Sequence, residues 1–108
     1  MEGIRAEGAP MTERRYRFYR KALDIIGAID AERLSAPGRD ILEDVAEHML
    51  LSPDCSPAEL RELRLDSTVT VRELARAGMV PPATADQLVE LVVGAGPPLP
   101  RMAQAVLG

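Results

Sequence analysis

Nine prolines divide the chain, and none of them interrupts a run of helical periodicity. Proline lacks the backbone donor and clashes with the preceding turn, so helices stop before it or start with it. Pro37, Pro53 with Pro57, the pair Pro81-Pro82, and the cluster Pro97, Pro98 and Pro100 therefore mark breaks. The stretches around them, "LSAPGRD", "SPDCSP", "MVPPA" and "GAGPPLP", also hold the Ser and Gly residues of caps and turns. Between the breaks, apolar residues recur at the i, i+3, i+4, i+7 spacing of an amphipathic helix. A chain divided in this way builds short helices on tight connections.

The first 11 residues, mostly Gly, Ala and Pro with scattered charges, read as a flexible leader; residues 12–108 read as one helical domain. Thr12 is a good N-cap for a first helix running to about Glu32, with Phe18, Tyr19, Ala22, Leu23, Ile25, Ile26 and Ile29 on its core face. Ser35 caps a second helix with Pro37 in its first turn. Its apolar face, Ile41, Leu42, Val45, Met49 and Leu50, runs to about Leu51. "SPAE", Ser56 to Glu59, is a capping box with proline at the first helical position. "LDSTVTV", Leu65 to Val71, is compatible with a short extended piece or a continuing helix. The possible capping box Thr70/Glu73 favours a break near Ser67 to Thr70. Gly78 suits a left-handed C-cap. A last main helix is expected with Thr84 as cap and Gln87 completing its box, and a short helix at Arg101 to Leu107. The sum is an all-α fold, a compact irregular bundle or orthogonal array of about five short helices. With aromatics at 3% of the residues, its core must come from Leu, Val, Ile, Ala and Met.

Charge is unevenly placed. Residues 1–21 hold six basic and three acidic side chains, whereas the rest hold seven basic and fourteen acidic ones. "RRYRFYRK", Arg14 to Lys21, contains nothing but basic and aromatic residues. Helical spacing turns Phe18 and Tyr19 inward and leaves Arg17, Arg20 and Lys21 in solvent. Arg14 and Arg15 fall in the first turn, where the macrodipole disfavours positive charge by about 0.3–1 kcal/mol each. The acidic body of the same protein is expected to compensate them. Arg14, Arg17, Arg20 and Lys21 are the candidate partner-binding residues.

Signals for chemistry are sparse. No glycine-rich phosphate loop, metal-ligand spacing or Ser/His/Asp arrangement is present, so no enzyme, metal or cofactor is expected. His48, with Asp44 one turn earlier, reads as a half-buried histidine paired at a polar rim. Cys55 is the sole cysteine and cannot form an intramolecular disulfide. It reads as a plain loop thiol, although a helix N-terminus such as the one that follows can lower a thiol pKa. The lone cysteine, the absence of an apolar run long enough to span a membrane, and an N-terminus without the apolar core of a signal peptide point to the cytoplasm. The acidic body argues against docking on anionic lipid.

"VTVRELARAGMVPPATADQL", Val69 to Leu88, resembles the helix-turn-helix of lactose-repressor-type regulators. Thr70, Glu73, Leu74, Ala75, Val80 and Thr84 take the cap, packing and turn roles of that motif without a gap. The resemblance implies DNA binding by the second helix, with Thr84 and Gln87 as the reading residues. That helix also carries Asp86 and Glu90, which oppose phosphate. Nucleic acid is therefore the second reading. The first is a small non-catalytic helical protein acting through protein–protein contact, with a protein partner or a second copy of itself. Two apolar runs support self-association: "HMLL" and "LVELVV" spread over more than one helical face, so each is either central in the fold or covered by another copy.

Overall fold

The computed structural model describes residues 12–98. It contains four α-helices, α1 (Glu13–Ala28), α2 (Ala36–Leu51), α3 (Pro57–Arg76) and α4 (Pro82–Ala95). No strand occurs among the described residues, so the class is all-α. The expected leader and the expected helix over 101–107 lie outside the described residues.

α4 is the central element and packs against all three other helices, most extensively against α1. Its composition explains the position, because Asp86 and Glu90 are its only charged residues. Ala85, Leu88, Val92 and Ala95 are buried along it. They meet Ala22 and Ile26 of α1, Leu42, Ala46 and Met49 of α2, and Val71 of α3 in one aliphatic core. Alanines from three helices bring the backbones close together, and the core needs no aromatic ring at its centre. "LVELVV" is thus largely accounted for by centrality, as are Met49 and Leu50; Leu51 alone of "HMLL" besides His48 faces solvent, at 62% exposure.

Several boundaries differ from those expected, each for a local reason. α1 stops at Ala28 rather than near Glu32, because Ile29 turns to extended backbone and Asp30 accepts from the Glu32 N–H through its side chain. On α2 the buried stripe is Gly38, Leu42, Ala46, Met49 and Leu50. Ile41, expected on the core face, is 43% exposed. The expected break at Ser67 to Thr70 is absent. Ser67 Oγ donates to the Leu63 carbonyl at 3.0 Å and Thr70 Oγ1 to the Asp66 carbonyl at 2.9 Å, so both hydroxyls bond back into an unbroken helix. Burial of Ser67 and Val71 against the core overrides the β-branched preference of this segment. Two of the expected helices are therefore one, which brings the count to four among the described residues. α4 begins with Pro81 as N-cap and Pro82 in its first turn, two residues before Thr84, and no side chain caps it.

The Ser35 cap and the Ser56–Glu59 capping box form as expected. Gly78, with φ of 86°, ends α3 in the left-handed region; the Gly78 N–H donates to the Ala75 carbonyl and the Met79 N–H to the Leu74 carbonyl, each at 3.0 Å.

Arginine side chains from other parts of the chain close the helix C-termini. Arg15 is 5% exposed. Its Nε donates to the Ala95 carbonyl at 2.9 Å, and its Nη2 to the carbonyls of Met49, Leu50 and Ser52 at 3.1, 2.9 and 3.1 Å. One guanidinium thus joins the ends of α2 and α4. Arg39 donates to the carbonyls of Ile26 and Ile29 at 2.6 and 3.1 Å, closing α1. Arg33 reaches the Gly78 carbonyl beyond α3 at 3.3 Å. These carbonyls lie in or just beyond the last turn, at the negative end of each macrodipole, and those of Ile26 and Met49 also accept the N–H of Ile29 and Ser52. A planar fork with several donors suits such sites better than an ammonium, in keeping with twelve arginines against one lysine.

Candidate functional site

The solvent face of α1 presents the candidate residues. Arg14, Arg17, Arg20 and Lys21 are all exposed there. The inner face is committed to packing: Ala22 and Ile26 are buried, Tyr19 and Leu23 pack on the core, and Phe18 lies against Gly94 of α4. A Cβ added at Gly94 would sit 2.9–3.1 Å from three atoms of the Phe18 ring, so glycine is what admits the ring. Phe18 and Tyr19 are half-buried rather than fully enclosed.

The exposed cations are held by aromatic rings more than by carboxylates. The Arg14 guanidinium stands over the Phe18 ring at 5.6 Å, and that of Arg20 over the Tyr16 ring at 5.9 Å. Arg20 Nη1 also donates to Tyr16 Oη at 3.4 Å, and this bond raises the Arg20 pKa. Arg17 approaches Glu13 at 3.6 Å, an exposed i, i+4 contact worth little in water. Among the described residues Arg14, Arg20 and Lys21 form no ion pair. Of the two first-turn arginines, Arg15 feels Asp54 of the acidic body, whereas Arg14 pairs with no carboxylate of the described residues. Arg14 rests on Phe18, and Arg15 is turned inward onto the carbonyls at the ends of α2 and α4. Burial lowers the Arg15 pKa, with Asp54 acting in the opposite sense.

A hollow of about 270 Å³ runs beside this ridge between Arg14, Arg17, Phe18 and Lys21. A larger cleft of about 520 Å³ lies at the end of the bundle, between Arg14, Phe18, Asp54, Arg64 and Val93. The buried Nε of Arg64 has no hydrogen-bond partner there among the described residues.

The two residues implied by the helix-turn-helix resemblance sit near the start of α4. Thr84 is half-buried and Gln87 is exposed. Gln87 shares a shallow hollow of about 360 Å³ with Lys21, Asp24 and Glu90. Asp86 is occupied by Arg72 at 2.5 Å, an exposed pair that ties α3 to α4. The fold thus brings one ridge cation beside the candidate reading residue, together with two carboxylates.

His48 is exposed and makes no ion pair with Asp44, contrary to the half-buried pairing expected of it. The Cys55 thiol is half-buried in the α2–α3 connection. Its pKa is pushed up by burial first, and then by Glu59 and Asp54. The helix N-terminus that follows does not prevail. No group of three or more His, Cys, Asp or Glu side chains placed to hold a metal ion occurs among the described residues. Nor is any helix among them long and apolar enough to cross a membrane.

No family model, curated protein or solved structure matches this chain.

Two sets of residues were not singled out by the sequence. Arg15 and Arg39 were missed as clamps because their acceptors are backbone carbonyls that carry no residue signature. The carboxylates Asp44, Glu47 and Asp66 were missed as a group because they come from two helices. An excess of arginine over lysine was the one sequence signal pointing to forked contacts of this kind.

Proposed function

We propose that the protein is a non-catalytic helical module that acts through protein–protein contact and associates with itself, in the reducing setting of the cytoplasm. One observation carries the reading. The outer face of α1 holds Arg14, Arg17, Arg20 and Lys21 in solvent around the exposed ring of Tyr16, and none of the four is needed to close the core. Arginine and tyrosine are the side chains that most often anchor an interface. The raised thiol of Cys55 and the unpaired exposed imidazole of His48 support a binding role over a nucleophilic one.

Light scattering on a sizing column tests the reading with the wild type and Arg17→Glu/Arg20→Glu. The wild type runs above 11.7 kDa and the double variant shifts toward that mass. A wild type that elutes as a monomer at every concentration contradicts self-association.

DNA binding by the α3–α4 hairpin is the second reading, favoured by the shared position of Lys21 and Gln87. Its test is anisotropy of a labelled duplex at about 50 and about 200 mM salt. A regulator using several phosphate contacts binds at the lower salt and loses orders of magnitude at the higher. With Asp24 and Glu90 beside Gln87, the expected outcome is no binding at either.

A further inference from the structure

The ridge on α1 has a counterpart elsewhere on the same molecule. α2 and α3 share the least extensive of the helix contacts that build the bundle, and a hollow of about 570 Å³ opens between them. Val45 and Leu63 line it and pack half-buried onto the core behind. Leu51 lines it too and is mostly exposed. Three carboxylates, Asp44, Glu47 and Asp66, also line it, beside the polar side chains of His48, Ser67 and Thr70. None of the three pairs with a cation of the described residues, although Glu13, Glu73 and Asp86 each do. An apolar groove with an anionic edge takes an amphipathic, cationic helix.

We propose that this groove is the seat of α1 from a second copy of the chain, an inference that rests on the self-association reading above. The ridge supplies what the groove lacks. Tyr16, 43% exposed, offers an apolar anchor to Val45, Leu51 and Leu63. Arg17 follows Tyr16 directly and Arg20 lies one helical turn beyond it, and the two meet Asp44, Glu47 and Asp66. Arg20 already lies over the Tyr16 ring, so part of the ordering cost is met before binding. No ridge cation bonds a groove carboxylate within the chain, and α1 and α3 are the helix pair without substantial contact. A second molecule satisfies both surfaces. Each contact joins the ridge of one copy to the groove of another, and each copy offers one of each.

Charge exchange tests this directly. Sedimentation velocity is run on the wild type, on the ridge variant Arg17→Glu/Arg20→Glu, on the groove variant Asp44→Arg/Glu47→Arg, on the two variants mixed, and on one chain carrying all four changes. Close interfacial charge pairs couple strongly enough that each single-surface variant is expected to weaken association by about 100-fold or more. The mixture and the four-change chain are expected to return to within about tenfold of the wild type. All four positions are exposed, and helical circular dichroism verifies that each variant is folded. Weakening by the ridge variant alone, with the groove variant unchanged, overturns the groove as the seat while leaving self-association standing. Two weakened variants that fail to restore one another overturn the pairing. A wild type that stays monomeric up to about 1 mM overturns both the pairing and the reading beneath it.

Discussion

Arg15 and Arg17 are two residues apart on one helix and have opposite fates. Arg15 is enclosed at the end of the bundle and spends its donors on backbone carbonyls from the ends of α2 and α4. Arg17 stands in solvent with a single weak contact to Glu13. The difference is set by the helical repeat: Arg15 shares its face with Ala22 and Ile26, whereas Arg17 shares its face with Lys21 and Asp24. A basic run thus contains two kinds of arginine. One kind completes the fold by closing helix ends that other segments leave open. The other contributes almost nothing to the fold and is free for a partner.

Substitutions on the two sides of this division should separate stability from association. The largest effect is expected at Arg15. Arg15→Met leaves the buried carbonyls of Leu50 and Ala95 without their donor and that of Met49 with the Ser52 N–H alone, at a cost of about 3 kcal/mol or more. Thermal denaturation should show a Tm lower by at least about 12 °C, at roughly 4 °C per kcal/mol for a domain of this size. Arg15→Lys should recover little, since an ammonium cannot span acceptors on two helices at once. A Tm change under about 2 °C for either variant would remove the distinction between the two arginines.

A smaller loss, about 1–2 kcal/mol, is expected for Arg39→Ala, because Arg39 is only half-buried and closes one helix end, at Ile26 and Ile29. Urea denaturation reads it as a lower midpoint at unchanged slope. On the outer side of the division, Arg17→Glu/Arg20→Glu should change folding stability by no more than about 0.5 kcal/mol, as exposed positions do. If that double variant unfolds as readily as Arg15→Met, the ridge is part of the fold and the comparison fails. The least effect concerns Cys55. Its raised pKa leaves less thiolate at neutral pH than a free thiol has, so alkylation by iodoacetamide should be slower than that of free cysteine. Its rate should rise with pH through a midpoint above the ordinary thiol value.

Much of the fold was legible because local chemistry set it. Ser35, Ser56 with Glu59, and Gly78 announce helix ends through bonds made within a few residues, and these are found as read. The aliphatic core followed from composition. What was not legible depends on distant partners. Nothing local tells that the acceptors of Arg15 lie 34 and 80 residues away, or that a macrodipole penalty on α1 is offset at the ends of α2 and α4. Ser67 and Thr70 resemble a cap and a break until the core claims Val71 and their hydroxyls turn back on the helix. Ile41 resembles a core residue until Gly38, Leu42 and Ala46 set the buried stripe of α2. Of the candidate site, the ridge could be read because it lies on one helix. The groove could not, because Asp44 and Asp66 become neighbours only when α2 and α3 pack.

Sedimentation equilibrium of the wild-type chain at about 50 and about 500 mM sodium chloride tests the central claim most directly. A contact built on exposed opposite charges is strong at the lower salt and screened at the higher. The expected result is a mass above 11.7 kDa at about 50 mM that falls toward it at about 500 mM. A mass of one chain at both ionic strengths, up to about 1 mM protein, would contradict an interaction surface that the protein satisfies with a second copy of itself.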